Sequence, residues 1–457
     1  MTRDLTKGPV TRTMLYFAFP MILGNLLQQF YNVADTLIVG RFLGAGALAA
    51  VGSAYTFMTF LTSILLGLCM GSGAVFSIRK GEGNEEGLYL SVLHSFVMIA
   101  SLAVVLNLAV FLLIDPILRF LRVPESIYGL MRQYLWVIFF GIFATFLYNF
   151  FASLLRAVGD SVTPLIFLGI CAVLNIVLDL LFVIGFHWGV AGAAVATVIA
   201  QTVSGAGLFW FTLNKFPQFR LLPGKIALKK QAFQEIAQFS FLTCLQQSVM
   251  NLGILMVQGL VNSFGPAVMA AFAAAVKIDS FAYMPVQDFG NAFSTFTAQN
   301  FGAKKTERIR QGIKSAVGCS VLFCLLISVS VTVFARQLML LFVKPEEEEI
   351  LAVGVQYLRI EGAFYFGIGC LFLLYGFYRA VGQPGMSVVL TVISLGTRVI
   401  LAYLLSSVPA VGVKGIWWSV PIGWILADVT GFICLRIFRN RLRSPEPDGT
   451  MGKGRSC

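Results

Sequence analysis

The chain has 457 residues, of which 58% are hydrophobic and 12% are charged, and its mean hydropathy is +0.84. This composition lies far outside the balance of soluble domains and is typical of polytopic membrane proteins. The net charge of +12 does not predict a nucleic-acid partner, because Lys and Arg lie in short loops and at the C-terminus. All cysteines except Cys457 lie in apolar segments without C-x-x-C spacing, which excludes a disulfide framework or a zinc site.

Apolar runs bounded by charged residues, Gly and Pro predict twelve transmembrane helices, since a spanning helix needs about 20 apolar residues. We number them spans 1 to 12. The predicted ranges in the first half are 14–39, 47–77, 88–113, 128–155, 162–185 and 190–213. Those in the second half are 235–262, 268–300, 311–341, 355–380, 386–408 and 413–438.

The two halves of the chain repeat each other. RAVGD at 156–160 recurs as RAVGQ at 379–383, and GVAG at 189–192 recurs at the same offset as GVKG at 412–415. Because each half has an even number of spans, both enter the membrane in the same orientation. We therefore predict an all-α polytopic membrane protein with twelve transmembrane helices in two pseudo-symmetric six-helix bundles. Its predicted parts are an N-terminal lobe (1–214), a cytoplasmic linker (215–234), a C-terminal lobe (235–440) and a disordered cytoplasmic tail (441–457).

The distribution of positive charge predicts the orientation. Most of the 33 Lys and Arg residues fall in segments on the same side as the N-terminus, and Arg156 and Arg379 are counted among these loop charges. The positive-inside rule then places both termini in the cytoplasm. We expect a multi-pass, monomeric protein of the cell membrane, embedded in the lipid bilayer.

Polar side chains inside the first bundle predict a functional site. Span 1 carries a polar stripe that must face protein or a water-filled cavity, because it would be costly in lipid. Its members are Asn25, Gln28, Gln29, Asn32 and Asp35. Span 5 places Asn175 and Asp179 one turn apart on one face. Together with Thr197 of span 6 they are expected in the outer half of the bundle. A functional role is favoured over structural pairing.

The second half does not repeat these carboxylates, since Asn175 aligns with Arg398 and Asp179 with Ala402. It has ionisable residues of its own, which are expected either to form neutralised pairs, such as Lys277 with Asp279, or to contact substrate. They are Lys277, Asp279, Asp288, Glu361, Arg398 and Asp428. The candidates for a polar cavity lining are Asn25, Gln28, Asn32, Gln247, Asn251, Lys277, Asp279, Glu361 and Arg398. Pro20 removes a backbone hydrogen bond from span 1 and predicts a hinge or a static kink.

Absent motifs narrow the class of protein. The chain has no G-x-x-x-x-G-K-[ST] phosphate loop, which argues against ATP-driven transport. It has no H-E-x-x-H motif and no Ser/His/Asp arrangement, so we predict neither an enzyme nor a bound cofactor.

The chain resembles the multidrug and toxic compound extrusion (MATE) family over residues 10–440. The features that carry the resemblance are Pro20, Asp35, the RAVGD/RAVGQ pair, Asn175, Asp179, Thr197 in GVAGAAVAT, and KIDSFAYMP with FTAQNFGA in span 8. The resemblance implies two six-helix lobes in a V shape that export organic, often cationic, compounds in exchange for H⁺ or Na⁺. The prokaryotic DinF-like branch has its cation site in the first lobe, and Asp35, Asn175, Asp179 and Thr197 match that site. The NorM-like branch uses acids of the second lobe, and Glu361 keeps that assignment open.

Two carboxylates in one pocket of low dielectric constant cannot both carry full charge cheaply. A proton is one natural ligand for Asp35 and Asp179. Na⁺ is the other, because the two carboxylates with the oxygens of Asn175 and Thr197 offer a shell suited to a hard cation. The alternative functions are a flippase for lipid-linked glycans or other amphiphiles, and a channel.

Overall fold

The computed structural model describes residues 3–121, 123–219 and 229–443, and in these ranges it contains helices and no strands. Spans 1 to 6 are Val10–Leu43, Ala45–Glu82, Glu85–Leu112, Glu125–Ile138 continued by Ile142–Ala157, Val162–Asp179, and Gly189–Lys215. Spans 7 to 12 are Lys230–Asn262, Pro266–Gly302, Thr306–Val333, Glu348–Gly362 continued by Tyr365–Ala380, Pro384–Ser406, and Val413–Arg443.

Eleven helices of the described ranges are long and apolar enough to cross a membrane, and the two segments of span 10 together make a twelfth. Large apolar side chains cover the outside of the bundle, including Leu112, Leu341 and Trp210, which are 81%, 75% and 70% exposed. Such a surface suits hydrocarbon, which requires no hydrogen bonds from it. The predicted fold class is confirmed.

The helices depart from the predicted ranges where the chain bends. Span 10 bends by 51° between Gly362 and Tyr365. Span 5 continues beyond Asp179 as a π-helical stretch, Leu180–Gly185. Short helices follow span 3 and span 9, at Ile114–Phe120 and Ala335–Met339. The predicted range of span 9, 311–341, was therefore too long, because the run stays apolar across the break and hydropathy does not register the turn.

Buried apolar side chains form two large cores, one mainly within each half. The core of the first half runs from Ile38 to Phe219. The core of the second half also contains the start of span 1, including Met14, Phe17 and Met21. Span 1 therefore begins in one core and ends in the other. Residues 220–228 of the predicted linker and 444–457 of the predicted tail lie outside the described residues, and the predicted lobe boundaries stay a prediction.

Residues 3–8 form a segment, here called the N-terminal strap, that ties the two halves together where span 1 begins. The backbone N–H of Arg3 donates to Gly159 O at 3.0 Å. The fully buried Leu5 donates its backbone N–H to Gln299 Oε1 at 3.3 Å. Gly159 has φ of +90°, and a Cβ there would lie 2.0 Å from Arg3 O, so a side chain cannot fit. The strap therefore joins the loop after span 4 to span 8.

Arg308 is the main anchor of the strap, and Arg308→Ala should release it. The guanidinium donates to Leu5 O, Lys7 O and Gly8 O at 3.1, 3.1 and 2.6 Å. Charge-assisted hydrogen bonds contribute about 1.5–3 kcal/mol each. We expect amide exchange in the strap to accelerate at least about tenfold, measured by hydrogen–deuterium exchange on the full chain.

Arg310→Ala is the matched control, because Arg310 lies one half-turn away and makes an exposed ion pair with Glu307 at 3.8 Å. Equal exchange in the two variants would contradict the anchoring role of Arg308.

Candidate functional site

A cavity of about 420 Å³ lies between the two halves. Spans 1, 2, 4 and 8 supply most of its wall, and its size is within the usual range for small-molecule sites. Methionine and tyrosine side chains are prominent in the lining, which therefore offers adaptable apolar contacts with polar tips. They are Met21, Met58, Met70, Met284, Tyr31, Tyr55, Tyr134 and Tyr148.

The structure brings together the four residues predicted to bind the coupling ion. Asp35 and Thr197 line the cavity, whereas Asp179 and Asn175 lie behind them and are buried. The carboxyl groups of Asp35 and Asp179 are close enough to interact electrostatically. Asn175 Nδ2 donates to Thr197 Oγ1 at 3.2 Å. Spans 1, 5 and 6 thus meet at one pocket beside the cavity.

The acceptors of this pocket are not satisfied by the protein. Apart from the facing carboxyl group, no described residue donates a hydrogen bond to either oxygen of Asp179 or to Asn175 Oδ1. Buried acceptors without donors are costly, so the chemistry of the pocket suits a proton or a cation. The described residues contain no group of three or more His, Cys, Asp or Glu side chains suited to a metal ion. A cation here would therefore also need the oxygens of Asn175 and Thr197.

The local helix geometry places Asp179 at a special position. Span 5 is α-helical up to Asp179 and then changes to the wider π-helical turn of Leu180–Gly185. Such turns are frequent at functional sites, because they re-aim side chains and free backbone groups. Pro20 lies buried within the continuous helix of span 1.

 Along span 1, Pro20 precedes Asp35 by 15 residues, or about 22 Å of helix.

Other predicted lining residues divide into two groups. Asn25, Gln28, Asn32 and Gln247 line the cavity. A second set of predicted residues, on spans 7, 8, 10 and 11, is not part of the lining. They are Asn251, Lys277, Asp279, Glu361 and Arg398.

The second half contains a buried acidic cluster of its own. Tyr357 Oη donates to Asp279 Oδ2 at 2.6 Å, and Tyr365 Oη donates to the other oxygen. Glu361 is within hydrogen-bonding reach of Asp279. The positive charge that faces this pair comes from Arg398. Lys277 is exposed and makes no ion pair with Asp279 in the described ranges, so the predicted Lys277–Asp279 pair does not form.

The two acidic pairs therefore differ in their surroundings. The pair in the second half has two tyrosine donors and a neighbouring guanidinium. Asp35 and Asp179 have neither a fixed cation nor a fixed donor to Asp179 in the described structure. The acidic pair of the second half is therefore better compensated by the protein than the pair of the first half.

The inner end of the cavity, where spans 4, 8 and 10 meet, contains charges that the sequence analysis assigned elsewhere. Arg156 and Arg379 were counted as loop charges, but both belong to helices and line the cavity. Asp288 also lines the cavity and accepts a hydrogen bond from Asn25 Nδ2 at 2.5 Å. The repeated RAVG sequence was the available signal, because it places an arginine at the same position in both halves.

The acid that ends RAVGD has a structural role outside the spans. Asp160 is fully buried and accepts hydrogen bonds from the backbone N–H and the hydroxyl of Thr163 at 3.0 and 2.9 Å. Lys215 Nζ lies 2.6 Å from Asp160 Oδ2, the oxygen that also accepts from the Thr163 hydroxyl. Burial opposes ionisation, but Lys215 and Thr163 together hold the pKa of Asp160 below its usual value. Asp160 therefore stabilises the start of span 5.

The profile of the MatE family matches residues 20–181 and 240–404, once in each half of the chain. The chain belongs to the MATE family. This MATE protein is 32% identical to the probable multidrug resistance protein YpnP of Bacillus subtilis, over 95% of this chain and 97% of that protein. It is 23% identical to a FAD transporter of Shewanella oneidensis, over 93% of this chain and 94% of that protein.

A solved structure described as the outward-facing conformation of a multidrug resistance MATE family transporter has the same fold. Its TM-score is 0.91 at 22% sequence identity, over 97% of this chain and 100% of that chain. The family membership confirms that this MATE protein is a membrane-embedded transporter of the multidrug-efflux class, with small-molecule substrates, and that it is not an enzyme.

Proposed function

We propose that this MATE protein is a secondary antiporter that exports small organic compounds in exchange for H⁺ or Na⁺. The observation that carries the proposal is the pair of facing carboxyl groups of Asp35 and Asp179, beside the cavity and without a fixed cation. Asp35 lines the cavity while Asp179 lies behind it. The coupling ion and the substrate would thus occupy adjoining spaces separated by one side chain.

The exchange follows from linkage between these spaces. Binding of one cation lowers the negative charge of the pair and weakens the repulsion between Asp35 and Asp179. Span 1 carries Asp35 and much of the polar cavity wall, so a shift of this helix changes the substrate site. Pro20 lacks the N–H that would hold the helix straight and is the proposed hinge. Each ligand then weakens the binding of the other, as antiport requires.

A proton is the simpler coupling ion for the described arrangement, because a hydrogen bond between two carboxyl groups needs one proton. Na⁺ is the alternative, with Asn175 Oδ1 and Thr197 Oγ1 completing an oxygen shell. We further propose that the protein acts as a monomer. We also propose that both termini lie in the cytoplasm, because the positive charge near the N-terminus favours this orientation.

The cavity lining supports small-molecule export over a flippase for lipid-linked glycans. Its charged residues are two acids and two arginines, not a uniformly basic surface. The methionine and tyrosine side chains favour compact amphiphiles of drug size, and about 420 Å³ suits them.

The test is efflux from proteoliposomes that contain the purified full chain. A pH gradient without Na⁺ should drive uphill export of a fluorescent amphiphilic dye, and a Na⁺ gradient at constant pH should drive it if Na⁺ is the coupling ion. Export in neither condition would refute antiport. Passive equilibration without a gradient requirement would indicate a channel, and movement of a glycolipid probe alone would indicate a flippase.

A further inference from the structure

Two guanidinium groups, one from each half, lie at the inner end of the same cavity. Arg156 ends the helix of span 4, and Arg379 occupies the corresponding position in span 10. Both line the cavity together with Ser153 and Ser294. The repeat therefore contributes one guanidinium from each half to the lining of a single cavity, where two positive charges are unfavourable unless an anion is present.

The described protein supplies no ion pair to either arginine. Arg379 is 6% exposed and donates only to neutral acceptors, Asn291 Oδ1 at 2.9 Å and Ser294 Oγ at 3.3 Å. Arg156 makes no hydrogen bond in the described ranges, and its buried Nε has no partner. A buried guanidinium without an anion is costly, so these two donors are poised for a ligand.

Asp288 does not balance both arginines. Its Oδ1 accepts a hydrogen bond from Asn25, and its carboxyl group interacts electrostatically with Arg156 without forming an ion pair to either arginine among the described residues. If Asp288 moved closer to Arg156, the positive charge of Arg379 would still have no neighbouring negative charge. Asp35, the other acid of the lining, lies ten residues beyond Asn25 on span 1, or about 15 Å of helix. The inner end of the cavity thus has an excess of one positive charge.

We propose that Arg156 and Arg379 form an oxyanion subsite that binds a carboxylate or phosphate group of the transported compound. Guanidinium groups are suited to these anions because their planar donors match two oxygens at once. The methionine and tyrosine side chains of the wall would contact the apolar body of the same molecule. The substrates are then anionic or zwitterionic amphiphiles. This proposal rests on the proposed export function, whose substrate class it specifies.

The test compares a rhodamine dye that has a free carboxyl group with its methyl ester, since the two differ only in the anion. Binding to the full chain in nanodiscs of neutral lipid is measured by fluorescence polarisation without an ion gradient. The acid should bind at least about tenfold more tightly than the ester, and inorganic phosphate should compete with the acid. Arg156→Gln should reduce the ratio of the two affinities about tenfold, whereas Arg310→Gln, which removes an exposed charge, should leave the ratio unchanged.

Equal affinity for acid and ester in the unmodified protein would overturn the subsite, and so would the absence of acid binding throughout the soluble range of the dye. A preference for the acid that disappears when anionic lipid is added to the discs would reassign the arginines to a lipid phosphate. These outcomes do not depend on ion coupling. Gradient-driven export of the ester without a preference for the acid would refute the subsite alone, whereas acid preference without gradient-driven export would refute the antiport alone.

Discussion

Asp179→Asn is expected to lower ion-driven export by about 100-fold, at the upper end of typical coupling free energies. Asn has nearly the same shape but cannot bind a proton or supply a negative charge. Asp179 is fully buried and its oxygens have no fixed donor other than the facing carboxyl group. The substitution should therefore remove coupling without creating a cavity. Initial efflux rates under the coupling-ion gradient, normalised to folded protein, provide the measurement.

Glu361→Gln is the matched control in the second half. Glu361 is also buried beside another acid, but Arg398 supplies a neighbouring positive charge there. We expect this variant to retain gradient-driven export, with folding checked by thermal unfolding. Normal export by Asp179→Asn together with loss of export by Glu361→Gln would move the coupling site to the second half.

Gly302→Ala is expected to force spans 2 and 8 apart near the N-terminal strap. A Cβ on Gly302 would lie 2.1 Å from Ile78 O and 2.9 Å from Glu82 N, both backbone atoms that cannot rotate away. Overpacking of this kind typically costs about 1–3 kcal/mol. The population of the conformation described here should fall by about 5- to 150-fold relative to one that is open on this side.

The opening can be measured by the reactivity of a cysteine introduced at Thr295, which lines the cavity, after replacement of the native cysteines. A membrane-impermeant maleimide added on the side of the strap should label Gly302→Ala faster than the parent protein. Gly318→Ala is the control, because a Cβ there meets nothing within 4 Å. Equal labelling of the two variants would show that the close approach of spans 2 and 8 does not close this side.

The sequence predicted the parts of the fold that depend on local composition. Each span was visible as an apolar run, and the repeat of RAVG indicated the two halves. The bend after Gly362 and the π-helical stretch after Asp179 were missed, because neither feature interrupts the apolar run with a Pro or a polar loop. Hydropathy indicates the solvent that surrounds a helix, but it does not indicate where the helix axis bends.

The predicted site shows a similar division. Asp35 and Asp179 could be placed together from their helix positions and depths. The pairing of Asp279 with Glu361 could not, since it depends on how spans 8 and 10 rotate against each other. Arg156 and Arg379 were assigned to loops because an arginine at the end of an apolar run usually marks the membrane boundary. Their position in the cavity depends on packing between helices that are distant in sequence.

The division of span 1 between two cores has a consequence for biosynthesis. Met14 and Phe17 lie near the beginning of the chain, whereas Phe293 and Phe296 of the same core are made much later. During synthesis span 1 enters the bilayer first. Its early residues can make their native contacts only after spans 8 and 9 have been synthesised. If the two halves were produced as separate polypeptides, the first would expose the surface formed by these residues until the second arrived. The packing of the first-made helix of this transporter is therefore completed only after the second half has been synthesised.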